Sequence, residues 1–177
     1  AHIITASKTE EDTLYVDKDK ERMKEAHFNV EDIDIEGKNK RQLVNLLQDF
    51  DIIYVQGGNA FYLLKQMRAS GFDKAIKKLI KKGVIYVGVS AGSIVAGKTI
   101  DASRWLGDEN KVRIRNLKGL NLVPFNVLVH YNPKMDETIL KEQKKLRHKL
   151  RILTDTQAIL IQNKVITLLG TGEQVEY

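Results

Sequence analysis

The feature that most constrains the fold is the run GVIYVGVSAGSIVAG, residues 83–97. Strand-like apolar residues lead into a G-x-S-x-G motif, and small residues then begin a helix, which is the context of a nucleophile elbow. The turn brings strand and helix close together, and Gly88 and Gly92 leave room for that approach. The pattern predicts that Ser90 lies above a sheet, beside helical N–H groups that favour a developing oxyanion. A tight structural turn with no catalytic role is the alternative.

The composition predicts a globular domain without membrane spans. The 177 residues are 42% hydrophobic and 29% charged, as is typical of one folded domain. No apolar run approaches the roughly 20 residues that a membrane span needs, and no signal-peptide pattern is visible. The absence of cysteine excludes disulfides and a thiol nucleophile, and it is compatible with the cytoplasmic location that we predict.

The charges and the histidines give no sign of a nucleic acid, a metal or a cofactor. The net charge of +6 comes from lysine-rich helical faces, which lack the interleaved aromatic residues of a nucleic-acid surface. The four histidines have no metal-ligand spacing, and no dinucleotide or phosphate-loop fingerprint is present. We therefore predict no cofactor, no metal and no nucleic-acid partner.

Strand and helix patterns alternate along the chain, which predicts an α/β fold with a mostly parallel central sheet and helices on both faces, a three-layer sandwich. The predicted strands are 30–35, 51–56, 84–87, 121–129 and a hairpin over 158–169, and the predicted helices are 10–27, 40–48, 60–70, 72–82 and 135–149. Residues 1–6 have the pattern of the second half of a buried strand. We therefore expect residues 1–177 to be a single domain that lacks a preceding β-α unit of about 30 residues.

A second glycine-rich turn follows the strand at 51–56. Gly57, Gly58 and Asn59 stand at its carboxyl end, where open α/β sheets bind ligands. Acyl transfer needs two backbone N–H donors for the oxyanion. We predict that Gly58 and Ala91 supply them, with Gly57 beside them. The alternative is that this turn only caps the helix that follows.

His130 is the candidate general base, because it follows an apolar strand and a serine nucleophile needs an adjacent base. Asp155, in a short polar turn, is the preferred acid to orient His130. Asp101 and Asp108 are its competitors in the irregular loop 98–118. A loop of this kind near a catalytic rim often forms a lid or a substrate wall.

Three segments carry a resemblance to a known family: VQGGNAFYLLKQMRASGFDKAIKKLIKKGVIYVGVSAGSIVAG, GLNLVPFNVLVHYNP and TDTQAILIQNKVITLLG. In this order they resemble the peptidase E (aspartyl dipeptidase) family of serine peptidases. The resemblance implies a flavodoxin-like fold related to class I glutamine amidotransferases and a short peptide as substrate. It also implies that Ser90 is the nucleophile, His130 the base and Asp155 the third triad member, where the best-known branch has glutamate.

The resemblance leaves the substrate preference open. Aspartyl dipeptidases of the family hold the acidic substrate side chain with an arginine on the helix after the histidine, and Lys141 occupies that place here. A lysine lacks the planar fork of arginine, so a preference for N-terminal Asp is less secure than the chemistry. Asn59 and Lys141 are the predicted substrate-binding residues.

Two other functions stay open. One is an inactive relative that acts as a binding protein, and the other is an esterase with the same serine elbow. In α/β-hydrolases the histidine follows the acid along the chain. Here the order is Ser90, His130, Asp155, which argues against that fold unless Asp101 or Asp108 is the acid.

Overall fold

The computed structural model describes residues 1–175, so residues 176 and 177 of the expected domain lie outside the described residues. The predicted α/β class is confirmed: a parallel central sheet is flanked by helices. The strands are β1 His2–Ile3, β2 Asp32–Ile33, β3 Ile52–Val55, β4 Ile85–Gly88, β5 Asn126–Leu128, β6 Leu150–Ile152, β7 Gln157–Gln162 and β8 Val165–Gly170. The helices are α1 Leu14–Glu25, α2 Lys40–Leu47, α3 Ala60–Ala69, α4 Phe72–Ile80, α5 Ala91–Ala96 and α6 Asp136–Glu142.

The strands form three sheets. The first has the order β2-β1-β3-β4 and is parallel throughout, with Val55 of β3 opposite Gly88 of β4. Strands β5 and β6 form a parallel pair, and β7 and β8 form an antiparallel hairpin. Because β3 and β4 are parallel neighbours, the loops after Val55 and Gly88 leave the same edge of the sheet. This edge carries both glycine-rich turns.

The main core lies between the sheet and helices α2 to α5. Helix α4 buries Phe72, Ala75, Ile76 and Leu79, the i, i+3, i+4, i+7 spacing of one helical face. In β3 the buried side chains alternate with partly exposed ones, as expected for a pleated strand. None of the helices within residues 1–175 combines the length and the apolar composition that crossing a membrane requires.

Several predicted elements are shorter than expected, among them the strand predicted over 30–35, which is limited to Asp32–Ile33. The strand predicted over 121–129 is limited to Asn126–Leu128, because Asn121 has a φ of +54°, which an extended strand does not allow. The helix predicted over 135–149 ends at Glu142, and a 3₁₀ turn follows at Gln143–Lys145. Ile139 is the buried residue of this helix, and the lysine-rich residues after it offer no apolar stripe to pack.

Candidate active site

Ser90 stands in the sharp turn between β4 and α5, where the sequence predicts a nucleophile elbow. Ser90 is the N-cap residue of α5, with φ +49° and ψ −113°, a conformation that L-residues rarely adopt. A Cβ on Gly92 would lie 2.1 Å from the Val55 carbonyl oxygen, and one on Gly88 would lie 2.5 Å from the Gly92 oxygen. Both glycines are therefore required for the close approach of strand and helix, as the sequence pattern predicts.

The side chains of Ser90, His130 and Asp155 come together at the rim of the sheet. His130 Nε2 lies 2.8 Å from Ser90 Oγ, and His130 Nδ1 lies 2.5 Å from Asp155 Oδ1. His130, two residues after β5, has a positive φ of +56°, and Asp155 stands in the turn after β6. The pairing of β5 with β6 therefore brings histidine and aspartate together. Their side chains are 50% and 76% exposed, respectively, so the pair is open to solvent.

The two competing acids are placed differently. Asp108 accepts a 2.9 Å hydrogen bond from the Ala60 N–H at the start of α3. Burial raises the pKa of its carboxyl above the usual range, although the Ala60 hydrogen bond acts in the opposite direction. Asp101 begins a 3₁₀ turn, Asp101–Leu106. Neither carboxylate hydrogen-bonds to His130 within residues 1–175.

The glycine-rich turn after β3 lies against the serine. A Cβ on Gly57 would lie 3.0 Å from the Ser90 Cβ. The Gly57 N–H, however, donates to Gln56 Oε1 at 2.9 Å inside the protein. The Gly57 N–H is therefore directed to a side chain in this structure, and the place of Gly57 beside the oxyanion hole stays a prediction. The N–H groups of Gly58 and Ala91 remain as candidates, since neither makes a hydrogen bond to another described residue outside the regular elements, and the first N–H of a helix has no intrahelical acceptor.

Asn59 caps the helix that follows the glycine-rich turn, and its predicted role in substrate binding stays a prediction. Its side chain accepts a 2.9 Å hydrogen bond from the Tyr62 N–H and so caps α3, which is the alternative that the sequence left open. Its amide also donates to the Glu109 carbonyl at 3.1 Å. The amide oxygen therefore hydrogen-bonds to the helix, and the amide nitrogen hydrogen-bonds to the loop 98–118.

Lys141 lies on the last turn of α6 with its side chain exposed. It makes no ion pair with another residue in the described part of the chain. A helix rises about 1.5 Å per residue, so Lys141 is roughly 7 Å along the axis from the start of α6. Its role in substrate binding stays a prediction.

A cavity of about 290 Å³ adjoins the glycine-rich turn. Three carboxylates, those of Glu10, Asp108 and Glu109, line it together with Lys111, which pairs with Glu109 at 3.5 Å. Five of the nine lining residues belong to the loop 98–118. That this loop forms a substrate wall stays a prediction. Glu10 was not singled out by any sequence pattern, since it belongs to a segment with only a helical composition. Residues 1–175 contain no group of three or more His, Asp or Glu side chains that could hold a metal ion.

Comparisons with known proteins relate this chain to peptidases. The sequence model of peptidase family S51 matches residues 1–169. An uncharacterized peptidase of Listeria innocua is 32% identical over 177 residues, which cover 97% of this chain and 84% of that protein. An uncharacterized peptidase of Listeria monocytogenes is 37% identical over 131 residues, which cover 73% of this chain and 64% of the relative. Peptidase E of Escherichia coli is 30% identical over 130 residues, which cover 73% of this chain. The chain spans 52% of the length of that peptidase E.

Solved structures show the same fold. A crystal structure whose description names a peptidase E protein from Listeria monocytogenes superposes with a TM-score of 0.86 at 31% identity. It covers 97% of this chain, and the match covers 85% of the crystallised chain. A peptidase from an acI-B1 actinobacterium, at 18% identity and a TM-score of 0.64, covers 99% of this chain and 82% of its own, and shows the fold alone.

Proposed function

This chain belongs to peptidase family S51, and on that premise we propose that it is a serine peptidase that hydrolyses short peptides through Ser90, His130 and Asp155. One observation carries the proposal: the His130 ring lies between the Ser90 hydroxyl at 2.8 Å and the Asp155 carboxylate at 2.5 Å. A nucleophile in contact with a base, and the base in contact with an acid, is the arrangement that nucleophilic catalysis requires.

The proposed mechanism proceeds through an acyl-enzyme. The Ser90 hydroxyl donates to His130 Nε2, which takes the proton as the oxygen attacks the peptide carbonyl. The resulting oxyanion accepts hydrogen bonds from the N–H groups of Gly58 and Ala91. His130 then gives the proton to the departing amine. A water molecule, activated by the same ring, hydrolyses the acyl-enzyme and restores the serine.

The contribution of Asp155 is expected to be mainly orientation. Its side chain is 76% exposed, and solvent strongly screens the charge of an exposed carboxylate. The hydrogen bond that His130 Nδ1–H donates to the Asp155 carboxylate nevertheless selects the tautomer in which Nε2 is the acceptor for the serine proton. The proposed acid thus acts through the position of the ring more than through its charge.

We propose that the substrate has a free N-terminus. The carboxylates of Glu10 and Asp108 line the cavity beside the glycine-rich turn, where they would attract an ammonium group. A preference for N-terminal Asp rests on Lys141 alone, which is exposed and lies at the far end of α6. The finer proposal is therefore a dipeptidase with a weak preference for N-terminal Asp. We also propose that residues 1–177 belong to a single domain. The absence of cysteine supports a cytoplasmic location.

A hydrolysis screen tests the proposal. Purified protein and its Ser90→Ala variant are incubated with dipeptides that differ in the first residue, with the same dipeptides acetylated at the N-terminus, and with simple carboxylic esters. We expect hydrolysis of free dipeptides by the wild type, with no hydrolysis by the variant. Hydrolysis of esters alone would favour an esterase, and no Ser90-dependent hydrolysis would favour a binding protein.

A further inference from the structure

Both polar groups of Gly57 are held by side chains. Its N–H donates to Gln56 Oε1 at 2.9 Å, and its carbonyl oxygen accepts from the Tyr15 hydroxyl at 3.4 Å. The Gln56 amide in turn donates to Asp19 Oδ2 at 3.0 Å. The turn beside Ser90 is therefore tied to side chains of α1, which lies outside every motif that the sequence singled out.

The contact to the Gly57 carbonyl bears directly on the candidate oxyanion donor. The carbonyl of Gly57 and the N–H of Gly58 belong to one planar trans peptide, in which the two groups point in opposite directions. A hydroxyl that holds the carbonyl on one side therefore sets the direction of the N–H on the other side. Gly58 has φ +129°, and a Cβ there would lie 2.3 Å from the Ala6 carbonyl oxygen, so only glycine can follow this path.

The two residues of α1 reach the turn from one helical face. Tyr15 and Asp19 are four positions apart in α1, a spacing that stacks side chains on the same side of a helix. Tyr15 is partly buried. Its burial, with the nearby charges of Glu10, Asp12 and Asp19, raises its pKa to about 12. The hydroxyl is therefore protonated at neutral pH and can act as a donor.

We propose that Tyr15 and Asp19 are positioning residues for the oxyanion hole: Tyr15 orients the Gly57–Gly58 peptide through its carbonyl, and Asp19 orients the preceding peptide through Gln56. The inference rests on the proposed peptidase function and goes beyond it, because it assigns part of the catalytic geometry to α1. Neither residue lines the cavity beside the glycine-rich turn.

The expected effect is on the chemical step and not on substrate binding. Removal of a whole oxyanion donor lowers kcat by about 100- to 1,000-fold in a serine protease. A donor that is present but less well oriented should lose less, and we expect about a 10-fold decrease in kcat for either contact. Because the oxyanion forms only after attack, KM should stay within about 2-fold of the wild-type value.

The experiment compares variants that differ by few atoms. Tyr15→Phe removes only the hydroxyl, and Asp19→Ala removes the acceptor of the Gln56 amide. Asp19→Asn, which keeps an acceptor oxygen, should restore most of the activity that Asp19→Ala loses. The matched control is Tyr54→Phe, since the Tyr54 hydroxyl also donates to Asp19 Oδ2, at 3.2 Å, but does not contact Gly57. We expect Tyr54→Phe to have kcat within about 2-fold of wild type.

A second readout separates positioning from a general loss of structure. The aldehyde of the substrate's first amino acid forms a hemiacetal with the serine hydroxyl and places an oxygen in the oxyanion hole, whereas the corresponding amino alcohol, which has no carbonyl group, forms no adduct. In Tyr15→Phe the inhibition constant of the aldehyde should rise about 10-fold, while that of the amino alcohol stays unchanged. Equal weakening of both inhibitors, or a wild-type kcat in both Tyr15→Phe and Asp19→Ala, would overturn the inference.

Assays of the wild-type protein distinguish a failure of the proposed function from a failure of the inference alone. If it hydrolyses no peptide and Ser90 does not react with a fluorophosphonate, the proposed function fails and the inference with it. If it is active and the α1 variants behave as wild type, only the inference fails. Thermal unfolding of each variant is measured in parallel, and if Tyr15→Phe does not fold, the comparison of Asp19→Ala with Asp19→Asn decides.

Discussion

The imidazole Nε2 of His130 lies 2.8 Å from the Ser90 hydroxyl oxygen, although 40 positions separate the two residues in the chain. Ser90 follows β4 of the four-stranded sheet, and His130 follows β5 of the separate two-stranded sheet β5-β6. Helix α5 packs against β5, so the turn that carries Ser90 lies close to the residues that follow β5.

Loss of the base and loss of the acid should have unequal effects. His130→Ala should lower kcat about as much as loss of the serine, because members of a catalytic unit are not additive. Asp155→Asn should keep more activity, since the acid mainly orients the ring and its side chain is 76% exposed. Steady-state kinetics on one dipeptide measures both. A fully active Asp155→Asn beside an inactive Asp108→Asn or Asp101→Asn would show that the acid is assigned to the wrong residue.

Asp108→Asn should stabilise the fold at neutral pH while it weakens substrate binding. Burial raises the pKa of Asp108, so the folded protein binds this proton more readily than the unfolded chain does. The ionised carboxylate therefore destabilises the fold above its folded pKa, and the penalty disappears as the pH falls toward the unfolded value of about 4. The melting temperature of Asp108→Asn should exceed that of wild type at pH 7 and equal it below about pH 4.

The same variant tests the binding of the substrate ammonium. KM for a free dipeptide should rise, because a carboxylate of the cavity wall is replaced by an uncharged amide. The acetylated dipeptide, which has no ammonium, should show no such change. The control is Asp101→Asn on the same loop, which should alter neither the melting temperature nor KM.

Lys141 should influence the preference for the first residue of the substrate. Its ammonium is a hydrated point charge on a flexible stem and pairs with a carboxylate less selectively than a guanidinium does. Lys141→Arg should raise the ratio of kcat/KM for Asp-X over Ala-X dipeptides, and Lys141→Ala should lower it. An unchanged ratio in Lys141→Ala would show that Lys141 is only a surface charge. The residues that determine selectivity would then be sought in the loop 98–118.

Gly92→Ala should destabilise the protein strongly. The new Cβ would lie 2.1 Å from the Val55 carbonyl oxygen, a backbone atom of the central strand β3 that cannot move aside without disturbing the ladder with β4. Overpacking costs about 1–3 kcal/mol and occasionally more, and we expect the upper end of this range. Chemical denaturation measures the change. A free energy of unfolding equal to that of wild type would mean that strand and helix are less tightly packed than the structure indicates.

The fold class could be predicted from the sequence because strand and helix periods alternate clearly. The boundaries were less accurate where other constraints decide. Asn121, with a positive φ, excludes the first part of a predicted strand. The end of α6 at Glu142 depends on which residues have an apolar partner. These packing partners depend on the tertiary structure, and local propensity does not predict them.

The residues of the candidate site could be selected from the sequence, but the hydrogen-bond partners of their polar groups could not be predicted from it. Ser90, His130 and Asp155 stand at the ends of apolar runs, a signal that a single sequence carries. The N–H of Gly57 is occupied by Gln56, and Asn59 caps α3 and holds the Glu109 carbonyl. These hydrogen bonds depend on side-chain directions that no sequence pattern expresses. Tyr15 and Asp19 were missed because α1 carries no motif.

Labelling of the protein with a fluorophosphonate tests the central claim most directly, because the reagent forms a covalent bond only with a serine that a neighbouring base activates. The labelled residue is identified by mass spectrometry of peptides from the wild-type protein and from Ser90→Ala and His130→Ala. We expect a single modified site at Ser90 in the wild type, no label in Ser90→Ala, and a labelling rate lower by at least about 100-fold in His130→Ala. Labelling at another residue, or equal labelling of all three proteins, would contradict the assignment of Ser90 as the nucleophile.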